Sequence, residues 1–88
     1  MPRYQVLLER KAANQLEKLS EDARSRIIEA LHILRDEGFS PRLDIKKLRG
    51  YKSHYRLRTG KLRILFEMRP ERTIIIYAIL PRNLAYQK

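Results

Sequence analysis

From His54 to Arg69 the chain reads His-Tyr-Arg-Leu-Arg-Thr-Gly-Lys-Leu-Arg-Ile-Leu-Phe-Glu-Met-Arg, with basic and apolar residues in turn. Side chains on a strand point to opposite faces alternately. Two strands joined at Thr59-Gly60 would put His54, Arg56 and Arg58 on one face with Lys61, Arg63, Leu65 and Glu67. Tyr55 and Leu57 would share the other face with Leu62, Ile64, Phe66 and Met68. Guanidinium groups donate parallel hydrogen bonds that fit a phosphate. Like charges facing each other destabilise a sheet, so a fold that keeps Arg56, Arg58, Lys61 and Arg63 together points to a polyanion, with phosphate first among them. A solvated outer face with no ligand is the alternative.

The turn sets which residues meet. A two-residue loop at Thr59-Gly60 would pair Arg58 with Lys61, Leu57 with Leu62, Arg56 with Arg63 and Tyr55 with Ile64. Apolar then meets apolar and basic meets basic, and a one-residue slip would spoil both faces.

The rest of the chain must hold this hairpin. Arg3 to Glu9 alternates as a strand, with Tyr4, Val6 and Leu8 on one side. From Arg10 the period becomes helical, and Ala12, Ala13, Leu16 and Leu19 make one face. Ser20 is placed to cap a second helix over about 21–37, with Glu21 and Asp22 in its first turn. Ile27, Leu31 and Leu34 form its buried stripe, Gly38 ends it and Pro41 forbids continuation. His32 on that helix has no second ligand near it. Leu43 to Leu48 is a short strand, Arg69-Pro70-Glu71-Arg72 a four-residue turn, and Thr73 to Leu80 a strand covered on both faces at least in part. That turn would pair Glu67 with Ile74 and Arg63 with Ala78, putting Ile74, Ile76, Ala78 and Leu80 in line with the basic face. Pro81 onward is a tail. The order predicts an α+β fold: an N-terminal strand, a two-helix hairpin, then three to four antiparallel strands with the helices on one face.

Composition bounds the partners. The 88 residues suit a single domain over 1–88. The net charge of +10 is uneven. Residues 1–49 hold eleven Lys/Arg and eight Asp/Glu, while residues 50–88 hold nine and two. The second half therefore expects an acidic partner, and basic residues on strands argue against a membrane. With no cysteine, a disulfide framework and thiolate chemistry are excluded. No leader or membrane-spanning run is seen, so the cytoplasm is the expected location.

Taken in order, the chain resembles the RelE/ParE toxin superfamily, especially the RelE-like branch of archaea and thermophiles. The resemblance rests on the opening Tyr4-x-Val6, on Lys47-Leu48-Arg49-Gly50, on Tyr55-Arg56-Leu57-Arg58-x-Gly60 followed by Leu62-Arg63-Ile64, and on the closing Pro81-Arg82-x-x-Ala85-Tyr86. It implies a type II toxin that cuts mRNA in the ribosomal A site, with a RelB-like antitoxin as partner. It also implies no metal and no cofactor, since the 2′-OH of the RNA attacks the adjacent phosphate. Arg56, Arg58, Arg63, Arg82 and Tyr86 match the catalytic positions of such toxins. Lys47, Arg49, Lys52 and Lys61 are further candidates for binding RNA phosphates. There is a departure: members often carry lysine where this chain has Arg56 and Arg58, and arginine cannot act as a base. His54 or Glu67 would then have to serve. A ParE-like toxin acting on gyrase, or a catalytically weak RNA-binding homologue, are the alternatives.

Overall fold

The computed structural model describes residues 3–81. Seven elements follow one another: β1 (Gln5–Leu8), α1 (Arg10–Glu17), α2 (Glu21–Glu37), β2 (Asp44–Lys47), β3 (His54–Thr59), β4 (Leu62–Arg69) and β5 (Thr73–Pro81). The five strands make one sheet in the order β1-β5-β4-β3-β2. The α+β architecture expected from the sequence is what forms. Strands β2 to β5 are antiparallel, and β1 closes the sheet as a parallel partner of β5, Gln5 opposite Thr73 and Leu8 opposite Ile76.

The helices cover one face. Ile27, Ala30, Leu31 and Leu34 of α2 and Ala12 of α1 are buried in one cluster with Leu57, Ile64, Phe66, Ile74, Ile76 and Ile79 of the sheet. Burying this apolar surface is the main favourable term in the fold. Helix α2 starts where its cap is. The Ser20 hydroxyl accepts a hydrogen bond from the Ala23 N–H at 3.2 Å, and Glu21 and Asp22 follow in the first turn. Gly38 ends the helix at φ 72°, ψ −133°, and its N–H reaches the Leu34 carbonyl.

Both hairpins differ in register from the sequence expectation. Thr59 pairs with Leu62, so the first loop is Gly60-Lys61, with Gly60 at φ 59°. A positive φ at the first loop position suits Gly and not Thr. Arg56 therefore faces Leu65 instead of Arg63, and Arg58 faces Arg63. The offset moves each partner by two positions, so the faces survive. The second loop has three residues and not four: Arg69 pairs with Thr73, and both Glu71 and Arg72 turn through the left-handed region. Glu67 then faces Ile75. Beyond Phe66–Ile76 the ladder shifts at a bulge, and Leu65 faces Ala78 and Arg63 faces Leu80. Ile74 and Ile76 consequently lie in the core, not on the basic face. Pro81 belongs to β5, opposite Leu62, and not to a tail.

A methyl group at Gly38 would stand 2.6 Å from Cε2 of Tyr4. Left-handed backbone alone costs an L-residue about 1–2 kcal/mol. Gly38→Ala should therefore lower the unfolding free energy by at least that amount, as read by urea denaturation.

Candidate phosphate-binding face

The side of the sheet away from the helices carries the basic residues. By register, Asp44 and Lys46 of β2, His54, Arg56 and Arg58 of β3, Arg63, Leu65 and Glu67 of β4, and Ala78 and Leu80 of β5 stand on this face. The sequence had placed Arg56, Arg58 and Arg63 together, and the structure keeps them so. Two of the three are buried: Arg56 is 8% exposed and Arg63 is 2% exposed. A buried cation is expensive unless it is paired or used.

Asp44 supplies part of the pairing. Its Oδ2 accepts from Nε of Arg58 at 2.8 Å, and its Oδ1 lies 3.7 Å from Nη1 of Arg56. The first is a charge-assisted hydrogen bond, and the second is too long to be one. Nη1 of Arg56 is buried and has no hydrogen-bond acceptor among the described residues. The same guanidinium borders a cavity of about 340 Å³ formed with Lys46, Lys47, Leu48 and Arg49 at the β2 edge. The opening is rimmed by the cations Lys46 and Arg49 as well and suits an anion.

At the other end of β3 the His54 ring meets Tyr77 and Glu67. Nδ1 of His54 is 3.0 Å from the Tyr77 hydroxyl, and Nε2 is 3.9 Å from Oε2 of Glu67. Arg69 lies 3.8 Å from the other oxygen of Glu67. The Tyr51 ring is 5.8 Å from that of His54. Burial, and next the charge of Glu67, push the ionisation of Tyr77 above the ordinary tyrosine value.

The remaining sequence candidates are scattered. Lys47 pairs with Tyr55, so by register it stands on the opposite side of the sheet from Arg56. Lys52 is exposed in the loop before β3, and Lys61 is exposed in the Gly60-Lys61 turn. Arg49 borders the Arg56 cavity. Arg82 and Tyr86 lie outside the described residues. Three members of this face were not singled out from the sequence. Asp44 and Lys46 share parity with Arg56 once β2 is paired to β3, which the alternation of 43–48 could have suggested. Tyr77 alternates with the core residues Ile74 and Ile76, and the four-residue turn expected from the sequence had set it on the opposite face. Among the described residues, no three His, Cys, Asp or Glu side chains are grouped to hold a metal ion. No described helix is long and apolar enough to cross a membrane.

The Tyr77 shift has a consequence for stability. Its folded value lies above the unfolded one, so its contribution is complete below the ordinary tyrosine range and is lost as pH rises through the folded value. Urea denaturation between pH 8 and 11 should show a steeper alkaline loss of stability in the native chain than in Tyr77→Phe.

No family model and no curated protein matches the chain. Solved structures do. A RelB–RelE antitoxin–toxin complex from Methanococcus jannaschii contains a chain 30% identical, aligned over 91% of this chain and 94% of that one, with a TM-score of 0.79. The archaeal RelE–RelB complex from Pyrococcus horikoshii gives 26% identity, 90% and 94% coverage and a TM-score of 0.78. The RelBE2 toxin–antitoxin complex of Mycobacterium tuberculosis gives 27% identity, 93% and 100% coverage and a TM-score of 0.75. A five-stranded mixed sheet with two helices on one side, a basic opposite face and this degree of identity over nearly the full length lead to one conclusion: the chain belongs to the RelE toxin family.

Proposed function

We propose that the chain is the toxin of a toxin–antitoxin pair and that it cuts mRNA in the decoding site of the ribosome. The observation that carries this function is the buried Arg56 guanidinium. Its Nη1 has no acceptor among the described residues, and it borders an opening rimmed by Lys46 and Arg49. Evolution keeps a desolvated charge of this kind at a cost unless a ligand completes it. Arg63 stands on the same face one strand away.

The chemistry follows from these groups. The 2′-oxygen of the RNA attacks the adjacent phosphorus, and the bond to the 5′-oxygen breaks. A cyclic 2′,3′-phosphate forms, the 2′-OH proton passes to water and the 5′-oxygen takes a proton from water. The phosphoryl oxygens gain negative charge on the way. Arg56 and Arg63 are set to donate to those oxygens, the role that a metal ion or oxyanion hole fills elsewhere. Arg58 is tied to Asp44 and serves the face by holding Asp44 in place. Arg82 and Tyr86 are assigned to the same site on the strength of the family resemblance. Arg49, Lys52 and Lys61 would steer the RNA strand, as scattered cations do on nucleic-acid surfaces. Lys47, on the other side of the sheet, would act only through a strand that wraps the β2 edge.

The relatives from M. jannaschii, P. horikoshii and M. tuberculosis are bound to their antitoxins. A RelB-like antitoxin is the corresponding partner here, with an acidic or amphipathic segment laid over the basic face. A ribosomal substrate places the protein in the cytoplasm.

Primer extension on a message translated in vitro tests the activity. Cuts inside codons on ribosome-bound mRNA are expected. Arg56→Gln should reduce them about 100-fold, the usual effect of removing one donor from a developing oxyanion. Arg58→Gln, monitored beside it for thermal unfolding, should reduce them less. Gyrase-dependent DNA breaks without RNA cuts would replace this function with a ParE-like one.

A further inference from the structure

Tyr77 follows the core residue Ile76 onto the open face of β5, and its hydroxyl lies 3.0 Å from Nδ1 of His54 on β3. The other ring nitrogen, Nε2, faces Glu67 at 3.9 Å. Around this ring stand Tyr51 from the preceding loop, Arg69 beside the far oxygen of Glu67, and Arg56 two residues along the same strand face. A neutral imidazole has one N–H and one lone pair. A lone pair on Nε2 would face a carboxylate and be repelled, whereas an N–H there would be attracted. The Tyr77 hydroxyl can donate to Nδ1, and it remains un-ionised well past neutrality because its ionisation is pushed up.

We propose that Tyr77 is a positioning residue that donates to Nδ1 of His54 and so holds the neutral ring with its proton on Nε2. The consequence rests on the RNA-cleaving function proposed above: His54 is a hydrogen-bond donor to a phosphoryl oxygen, not the base for the 2′-OH. The lone pair that a base needs is occupied by Tyr77. The Nε2–H is too far from Glu67 for a full hydrogen bond and stays available to an anionic oxygen. No proton changes hands at His54 in this role. When the ring gains a second proton at lower pH, it gains it on Nδ1. The Tyr77 hydroxyl then turns from donor to acceptor, and Nε2 keeps its N–H. His54 therefore donates in both protonation states. Glu67 keeps the N–H aligned in both, and Arg69 limits the charge that Glu67 presents.

Two experiments decide this. The first is nitrogen-15 NMR of the imidazole rings in the free protein, with His32→Asn used to assign the signals. The neutral His54 ring should carry its proton on Nε2, and Tyr77→Phe should shift the Nδ1 resonance and raise the fraction protonated there. A wild-type ring protonated on Nδ1, or signals untouched by Tyr77→Phe, overturns the proposal. The second is ribosome-dependent cleavage across pH. His54→Ala should lower kcat about 100-fold. His54→Gln places an amide N–H near the Nε2 position but cannot take up a proton at neutral pH, and it should stay within about tenfold of wild type with an unchanged pH profile. If instead Gln is as poor as Ala, and both lose the acidic limb of the wild-type pH profile, His54 is a base and the assignment falls. Absence of cleavage by the wild-type chain would count against the RNA-cleaving function, while the NMR result would still decide the tautomer.

Discussion

Keeping guanidinium groups on the sheet face turned away from α1 and α2 is the constraint from which the other features of the molecule follow. Arg56 and Arg63 are almost fully withdrawn from solvent. Guanidinium groups stay charged under all ordinary conditions, so burial cannot be relieved by losing a proton. The relief must come from a counter-charge or a ligand. Asp44 provides the first in part, at 2.8 Å from Arg58 and 3.7 Å from Arg56. This arrangement depends on the short edge strand β2, whose only contribution to the core is partial packing by Ile45. An edge strand otherwise exposes unpaired backbone. Here it also brings the acid that lets β3 carry two arginines side by side.

The core on the other face makes this charge density tolerable. Leu57, Ile64, Phe66, Ile74 and Ile76 are fully buried against α1 and α2. They anchor the three central strands to the helices by apolar contact, and the Ile79 N–H adds a hydrogen bond to Oε1 of Gln15 at 2.7 Å. The Tyr55 ring stacks on Phe66 with centroids 5.6 Å apart, and Phe39 approaches Tyr55 edge-on at 4.8 Å. Such pairs add to simple burial. The open face carries Leu65, Ala78 and Leu80 beside its basic residues, and binding chemistry can occupy the rest of it.

The β5 bulge joins these two layers. Up to Ile76 the strand alternates strictly, core side chains at Ile74 and Ile76 and open-face ones between. With one residue inserted, Ala78 breaks the alternation and Ile79 returns to the core. Bulges commonly re-aim a side chain next to a site. In this chain the residue whose face changes is Ala78, beside Tyr77, which keeps the alternation and contacts His54.

Much of this was legible in residues 1–81 because it is local or periodic. The cap at Ser20, the stop at Gly38, the apolar stripe of α2 and the two faces of the hairpin all depend on residues within a few positions of each other. Parity along a strand survives an error of register by two, so Arg56, Arg58 and Arg63 were assigned to one face correctly although their partners were not. Partner choice is different. It depends on the backbone conformation at Gly60, Glu71 and Arg72, and on where a bulge inserts, and these are settled by the fit of a whole strand to its neighbours. The sequence by itself determined the elements, the charge and which side of the sheet bears it. Only the tertiary structure decided that Asp44 partners two arginines, that Arg56 and Arg63 are buried, and that Tyr77 meets His54, because each of these contacts joins separate strands across a distance that no local pattern encodes.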